Sequence, residues 1–239
     1  MYRLVSYNLH SGVGRDGVQD YHRIGHMLAE KNADFVLLQE MDTRASERNT
    51  QSDIDALCQP GGYTFIPAAT QVTSHGWFGN AMLSRHTVIR DDVVTLSVAD
   101  REPRNLQRVW VETPHHSLLL HNTHLGLSRK ERKQQVKLIQ SALEDGTANA
   151  DLPAMLAGDL NEWWYLSNLF ARLKPIMHQL DTGLSFPSQF PVFKLDRVWV
   201  TQHCQILNCG LIKDPASSHF SDHLPVFADF VIHDRRERI

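Results

Sequence analysis

The sequence predicts an α+β fold of two packed β-sheets with helices on their outer faces. Three observations carry that expectation. Short apolar runs of strand length recur along the whole chain, and few segments place apolar residues at helical spacing. Many strands with few intervening helices favour two packed sheets. The 239 residues are 42% hydrophobic, and no linker, repeat or low-complexity tract divides them, so a single domain over 1–239 is expected.

Residues 4–10 read as the first strand. Asp20 caps a helix over 21–31, whose Ile24, Met27 and Leu28 share one face. Residues 35–39, Phe-Val-Leu-Leu-Gln, form a short buried strand, and Asn80-Ala81-Met82-Leu83-Ser84 closes another. Residues 88–96, 108–112 and 118–123 give three more. Ser128-Arg129-Lys130-Glu131 is a capping box, and it opens a helix to about residue 144 with Val136, Ile139 and Leu143 on one face. Residues 154–157 are a buried strand ending at Gly158-Asp159, and 195–200 and 226–232 complete the set. Residues 233–239, with Arg235-Arg236-Glu237-Arg238, read as a short solvated tail.

Composition excludes several function classes. Lys and Arg number 24 against 27 Asp and Glu, a net charge of −3, which disfavours binding nucleic acid through a basic surface. No apolar run is long enough for a membrane span, and no secretory signal is visible. Cys58, Cys204 and Cys209 lack C-x-x-C spacing, which argues against a disulfide framework or a zinc ribbon and for a reducing cytoplasm. No stable protein partner is indicated.

The informative pattern is where the polar residues fall. Asn8 ends the first strand and Gln39-Glu40 the second; His124 follows 118–123, Asp159 and Asn161 follow 155–158, and Asp222-His223 precedes the last strand. Strand ends hold side chains rigidly beside loops, where sites are commonly built. Taken singly each has a plainer explanation. Asn8 is a turn residue, Glu40 a surface acid, Asp159-Leu160-Asn161 an Asx-turn, Asp222-His223 a cap, and Asp196 a partner of Arg197. Their joint order is the stronger signal.

With these segments in view, the chain resembles the endonuclease/exonuclease/phosphatase superfamily of deoxyribonuclease-like phosphohydrolases. The resemblance rests on Ser6-Tyr7-Asn8, Leu38-Gln39-Glu40, Asn80-Ala81-Met82-Leu83-Ser84-Arg85, Asn122-Thr123-His124-Leu125, Gly158-Asp159-Leu160-Asn161, Leu195-Asp196-Arg197-Val198 and Ser221-Asp222-His223-Leu224-Pro225-Val226. It implies a four-layer α/β/β/α sandwich with two mixed sheets and a magnesium-dependent phosphodiester or phosphomonoester hydrolase, manganese being a possible substitute. A nuclease of the same fold is the alternative; a phosphate-binding module without catalysis is a third reading. The expected partner is a phosphoester substrate: a nucleotide, a phospholipid-like ester or nucleic acid.

Hydrolysis of a phosphoester needs charge neutralisation, an activated water and a stabilised leaving group. Magnesium, a hard cation that prefers oxygen ligands, suits the first. The resemblance implies Glu40 and the Asn8 amide oxygen as its ligands, with Asp222 as a second contact. It implies Asp159 orienting and deprotonating the water, Asn161 on phosphate or water, His223 on the phosphate and Asp196 on the other nitrogen of His223. Members of the family differ on whether the histidine or the aspartate is the base, and that choice stays open at this point. His124 matches a second histidine that serves as a leaving-group acid. Asn80, Arg132, Trp77 and Trp163 are candidate substrate contacts. Aromatics in Trp77-Phe78, Trp163-Trp164-Tyr165 and residues 186–191 suggest an apolar wall. The densest basic cluster is Arg129, Lys130, Arg132 and Lys133. Of fourteen histidines only His124 and His223 stand out by context.

Overall fold

A computed structural model describes residues 1–46, 48–146 and 152–233. Residues 234–239 of the expected solvated tail lie outside them. The predicted strands are present, mostly extended at their ends. The strand expected over 4–10 runs instead over Tyr2–Asn8 (β1), because His10 and Ser11 take positive φ and turn the chain. In order there follow α1 (Tyr21–Glu30), β2 (Phe35–Asp42), α2 (Thr50–Cys58), β3 (Thr64–Val72), β4 (Trp77–Ser84), β5 (Thr87–Thr95), β6 (Asn105–Glu112) and β7 (Ser117–His124). Then come α3 (Arg129–Gly146), β8 (Ala154–Asp159), β9 (His178–Gln179), β10 (Asp196–Val200), β11 (Cys204–Leu211), α4 (Pro215–Phe220) and β12 (Val226–Ile232).

Two mixed sheets of six strands pack face to face, in the orders β11-β12-β1-β2-β4-β3 and β5-β6-β7-β8-β10-β9. β1 and β2 are parallel, as are β7 and β8, and the other neighbours are antiparallel. The pleat sends alternate side chains to opposite faces. Leu4, Leu37, Met82, Leu120, Met155, Val198 and Phe230 therefore interdigitate between the sheets. Val5, Val36 and Leu38 meet Ile24, Met27 and Leu28 of α1 on one outer face. Leu119 and Leu156 meet Val136, Ile139 and Leu143 of α3 on the other. This is the expected four-layer α/β/β/α sandwich. No helix among the described residues is long and apolar enough to cross a membrane. All three cysteines are free.

Two of the four helices have N-terminal caps expected from the sequence, at α1 and α3, and the second forms differently. Asp20 accepts from the backbone N–H groups of His22 and Arg23 as expected. At α3 the Glu131 carboxylate of the predicted capping box accepts from Gln135 Nε2 at 3.1 Å. It packs against Gly126, where any Cβ would collide with it.

Gly25 shows how tightly the outer layer closes. A Cβ there would run into the backbone of Ala56 and Leu57 on α2. Alanine favours a helix interior over glycine by roughly 0.5–1 kcal/mol, but overpacking against immobile backbone costs about 1–3 kcal/mol. Gly25→Ala is expected to destabilise the protein by about 1–2 kcal/mol in urea unfolding, and a gain in stability would contradict the close α1–α2 approach.

Candidate active site

The parallel pairs put four strand ends at one end of the sandwich. In the second sheet His124 is registered against Asp159, and Asp159 against Asp196, so three neighbouring strands offer these side chains in a row. In the first sheet Asn8 is registered against Gln39, next to Glu40. β12 runs antiparallel to β1, which brings the preceding His223 beside the end of β1.

Local backbone features aim two of these residues. The β2–β4 register slips between Leu38 and Met41, and Glu40, inside that bulge, sits at φ +55°. Asn161 is held at φ +52° with its N–H on Asp159 Oδ1 at 2.9 Å. Left-handed non-glycine residues are costly and concentrate at functional sites. Gly158 serves the same end, since a side chain there would strike the Thr123 carbonyl on the neighbouring strand. Beneath the site the sheets are tied by buried amides: Gln39 Nε2 donates to Asn122 Oδ1 at 2.8 Å, and Asn122 Nδ2 donates to the Leu38 and Ala81 carbonyls. Asn122 thus braces the platform rather than facing a substrate.

The centre is a cluster of Glu40, His124 and Asp159, whose ligand atoms lie within 4.8 Å of one another. Asn8 Nδ2 donates to Glu40 Oε1 at 2.9 Å and to Asp159 Oδ2 at 3.1 Å, while Asn8 Oδ1 accepts from the His10 N–H. Asn8 therefore holds Glu40 and Asp159 together through its amide nitrogen, while its oxygen lies on the His10 N–H. Asp159 is almost fully buried. Burial pushes its carboxyl up to about 6, with Asp196 adding and His223, Asn161 and Asn8 opposing.

His223 Nδ1 donates to Asp196 Oδ2 at 2.7 Å, and its Nε2 lies 3.7 Å from Asp159 Oδ2. Burial works against the charged ring, but Asp196, Asp159 and Asp222 outweigh it and push the imidazole up to about 10. Asp196 is itself fixed by the Ser185 hydroxyl at 2.6 Å. It makes no pair with Arg197, because consecutive strand residues point to opposite faces.

His124 has the reverse environment. Arg104 NH1 donates toward its Nδ1 at 3.1 Å, and Asn161 Nδ2 lies 3.1 Å from its Nε2. Burial, then Arg104, then His223 hold the ring well below its ordinary value. Nε2 also lies 3.5 Å from Asp159 Oδ2 and 3.8 Å from Glu40 Oε1, so a neutral ring that accepts from Arg104 at Nδ1 has carboxylates to face with its Nε2–H. The hard oxygens of Glu40 and Asp159 fit a hard divalent cation, with His124 the third group of the cluster.

The other expected residues fall away from the centre. Asp222 stands outside the cluster and bears on it through its charge near His223. Asn80 is buried and donates to Asn105 at 2.8 Å. Trp77 packs against Phe65 with ring centroids 6.1 Å apart. Arg132 is buried and donates to the Gly126 and Leu127 carbonyls, stapling the turn after β7. Trp163 does line the cavity over the site, together with Phe78, Leu127 and Phe186, so part of the apolar wall is there. Arg104 also lines it and was not singled out; in sequence it is one arginine of a charged loop.

The family model described as "Endonuclease/Exonuclease/phosphatase family" matches residues 5–223. The chain belongs to the endonuclease/exonuclease/phosphatase family. Members of this family are phosphoester hydrolases. The uncharacterised protein YbhP of Escherichia coli is 28% identical over 178 residues, covering 69% of this chain and 67% of that protein. The mannosyl-6-phosphatase Bt3783 of Bacteroides thetaiotaomicron superposes with a TM-score of 0.81 at 18% identity, over 97% of this chain and 100% of that one. The human Nocturnin catalytic domain superposes with a TM-score of 0.75 at 18% identity, over 97% and 94% of the two chains. At these identities the two structures bear on the fold alone.

Proposed function

We propose that this family member is a magnesium-dependent phosphoester hydrolase, a phosphodiesterase or phosphatase, in which a water attacks phosphorus. The observation that carries the reading is the meeting of the half-buried Glu40, the buried Asp159 and the Asp196–His223 pair at one end of the sandwich. Glu40 would hold the cation, with Asp159 beside it; a bound divalent cation supplies neutralisation of the phosphoryl oxygens. One carboxylate with few helpers makes that binding weak and substrate-assisted. Asp159 Oδ2 orients the water and takes its proton. Burial raises that carboxylate's hold on a proton, and a cation beside it would oppose the rise. His223, fixed by Asp196, donates to a phosphoryl oxygen. Asn8 keeps Glu40 and Asp159 at their separation. The free cysteines suit a cytoplasmic setting.

The test offers purified protein bis-p-nitrophenyl phosphate, p-nitrophenyl phosphate and plasmid DNA, with magnesium, manganese or EDTA. Hydrolysis of a small ester is expected with either metal and none with EDTA. Glu40→Ala is expected to raise the magnesium concentration for half-maximal rate by at least about tenfold. Metal-independent hydrolysis, or an unchanged metal requirement in Glu40→Ala, would refute the mechanism. Plasmid nicking as the dominant activity would assign the nuclease instead.

A further inference from the structure

The loops that follow and precede the site strands expose large apolar side chains that the reaction does not use. Trp164, Tyr165 and Leu166 are 71%, 87% and 93% exposed in the loop after Asn161. Phe190 and Val192 stand 78% and 60% exposed in the segment before β10, and Leu127 is 69% exposed after β7. Soluble proteins normally scatter such residues singly, and a contiguous group marks an interaction surface. Tyr165 and Val192 line one cavity with Trp163, and Trp163 and Leu127 line the cavity over the site. Trp163 packs edge-on against Phe186 and Phe193, with centroids 5.6 and 4.9 Å apart, and Phe186 lies 4.8 Å from the His223 ring.

A positive face adjoins it. The cavity lined by Trp163, Tyr165, Val192 and Lys174 shares Asn168 and Ala171 with a second cavity, lined by Arg129, Lys130, Lys133 and Arg172. Glu162 is the single acidic residue lining either one, and it is buried against Arg132 at 3.5 Å. Among the described residues Arg129, Lys130, Lys133 and Lys174 have no acidic partner in the ion pairs formed. On a chain of net charge −3 this is a local reversal of sign.

We propose that residues 164–166, with Phe190 and Val192, insert into the interface of an anionic phospholipid surface while the Arg129–Lys133 turn engages its headgroups. Trp and Tyr settle at headgroup depth, aliphatic side chains enter the acyl boundary, and Lys and Arg are drawn to the negative surface potential. Leu166, Val192 and Leu127 favour lipid over nucleic acid, since aliphatic side chains offer no ring for a base to stack on. Docking would turn the mouth of the site toward the headgroups. It is a binding property, and it stands whether or not the site hydrolyses phosphate.

The experiment is sedimentation with vesicles of phosphatidylcholine alone, or of phosphatidylcholine mixed with phosphatidylglycerol, with tryptophan emission recorded in parallel. Wild type is expected to sediment with the anionic vesicles, with a blue shift, and to be released by high salt. Two variants probe it: Trp164→Ser/Tyr165→Ser/Leu166→Ser and Lys130→Glu/Lys133→Glu. Each replaces exposed residues, and a wild-type thermal midpoint verifies its fold. Each is expected to lose binding by about tenfold or more. No binding of wild type to either vesicle, or binding unchanged in both variants, would overturn the proposal. So would tighter binding to single-stranded DNA that the same variants abolish, which would assign the surface to nucleic acid.

Discussion

Asp159→Asn is expected to lower kcat by about 10²–10⁴ under saturating magnesium, the usual worth of a positioned base. The carboxylate has two occupied oxygens: Oδ1 accepts from the Asn161 N–H, and Oδ2 faces Asn8, His124 and His223. An asparagine fills the same volume, yet it cannot take a proton from water. Its amide nitrogen must also face a donor on one side, Asn8 or the Asn161 N–H, so a modest loss of stability accompanies the loss of rate. Circular dichroism and the thermal midpoint separate the two effects. The rate effect outweighs any metal effect if added magnesium does not restore it, whereas Glu40→Ala should be rescued in part. Wild-type turnover in a folded Asp159→Asn protein would remove Asp159 from the chemistry. His223→Gln offers a contrast, because the glutamine can still donate one hydrogen bond but carries no charge. It should raise KM along with lowering kcat if His223 contacts phosphate in the ground state as well.

Much of this arrangement could be read in the sequence because strand ends leave a legible trace. A buried strand is a run of apolar residues, and the acid or amide that stops it stands out, as with Glu40, Asp159 and Asp196. The same logic failed at three of the four sheet edges; the fourth, β5, keeps apolar pairs in Val88-Ile89 and Val93-Val94 that announce it. β3 and β11 each close one edge of the first sheet and β9 one edge of the second, and all three escaped notice. An edge strand buries less, tolerates a residue such as Pro67, and loses the apolar run that would announce it. α2 and α4 are short helices with few apolar positions and were missed for the same reason. Within the site, residue type could be read but orientation could not. Arg132 is spaced to reach a substrate, yet its guanidinium is consumed by the turn after β7. Asn80 spends its amide on Asn105, a residue from a different sheet that no local pattern connects to it. Arg104, second to burial, helps keep His124 neutral across twenty residues, and a surface-like loop gives no hint of that contact.

His121 should make the fold sensitive to acid. It lies on β7, fully buried, with Nδ1–H donating to the Met155 carbonyl at 3.1 Å and Nε2 left without a partner. Burial pushes its pKa down to about 4; the Met155 bond and Asp92 oppose this, and Arg108 adds to it. The unfolded chain titrates near the ordinary histidine value of about 6.5. Between these two values the unfolded state binds a proton that the folded state refuses. Stability is therefore complete above about 6.5 and is lost as pH falls toward about 4. A separation of that size corresponds to about 3 kcal/mol, a substantial part of the roughly 5–15 kcal/mol that holds a domain folded. Carboxylates in ion pairs, such as Asp92 with Arg108, add their own acid dependence, so the absolute slope cannot isolate the histidine. The difference between wild type and His121→Gln can, because glutamine is neutral throughout and retains an N–H for the carbonyl. Urea unfolding near pH 7 and near pH 4 should show wild type losing about 3 kcal/mol more than the variant over that interval. Parallel losses in the two proteins would mean that the His121 ring takes up its proton in the folded state, against the burial and the unpartnered Nε2 that oppose it.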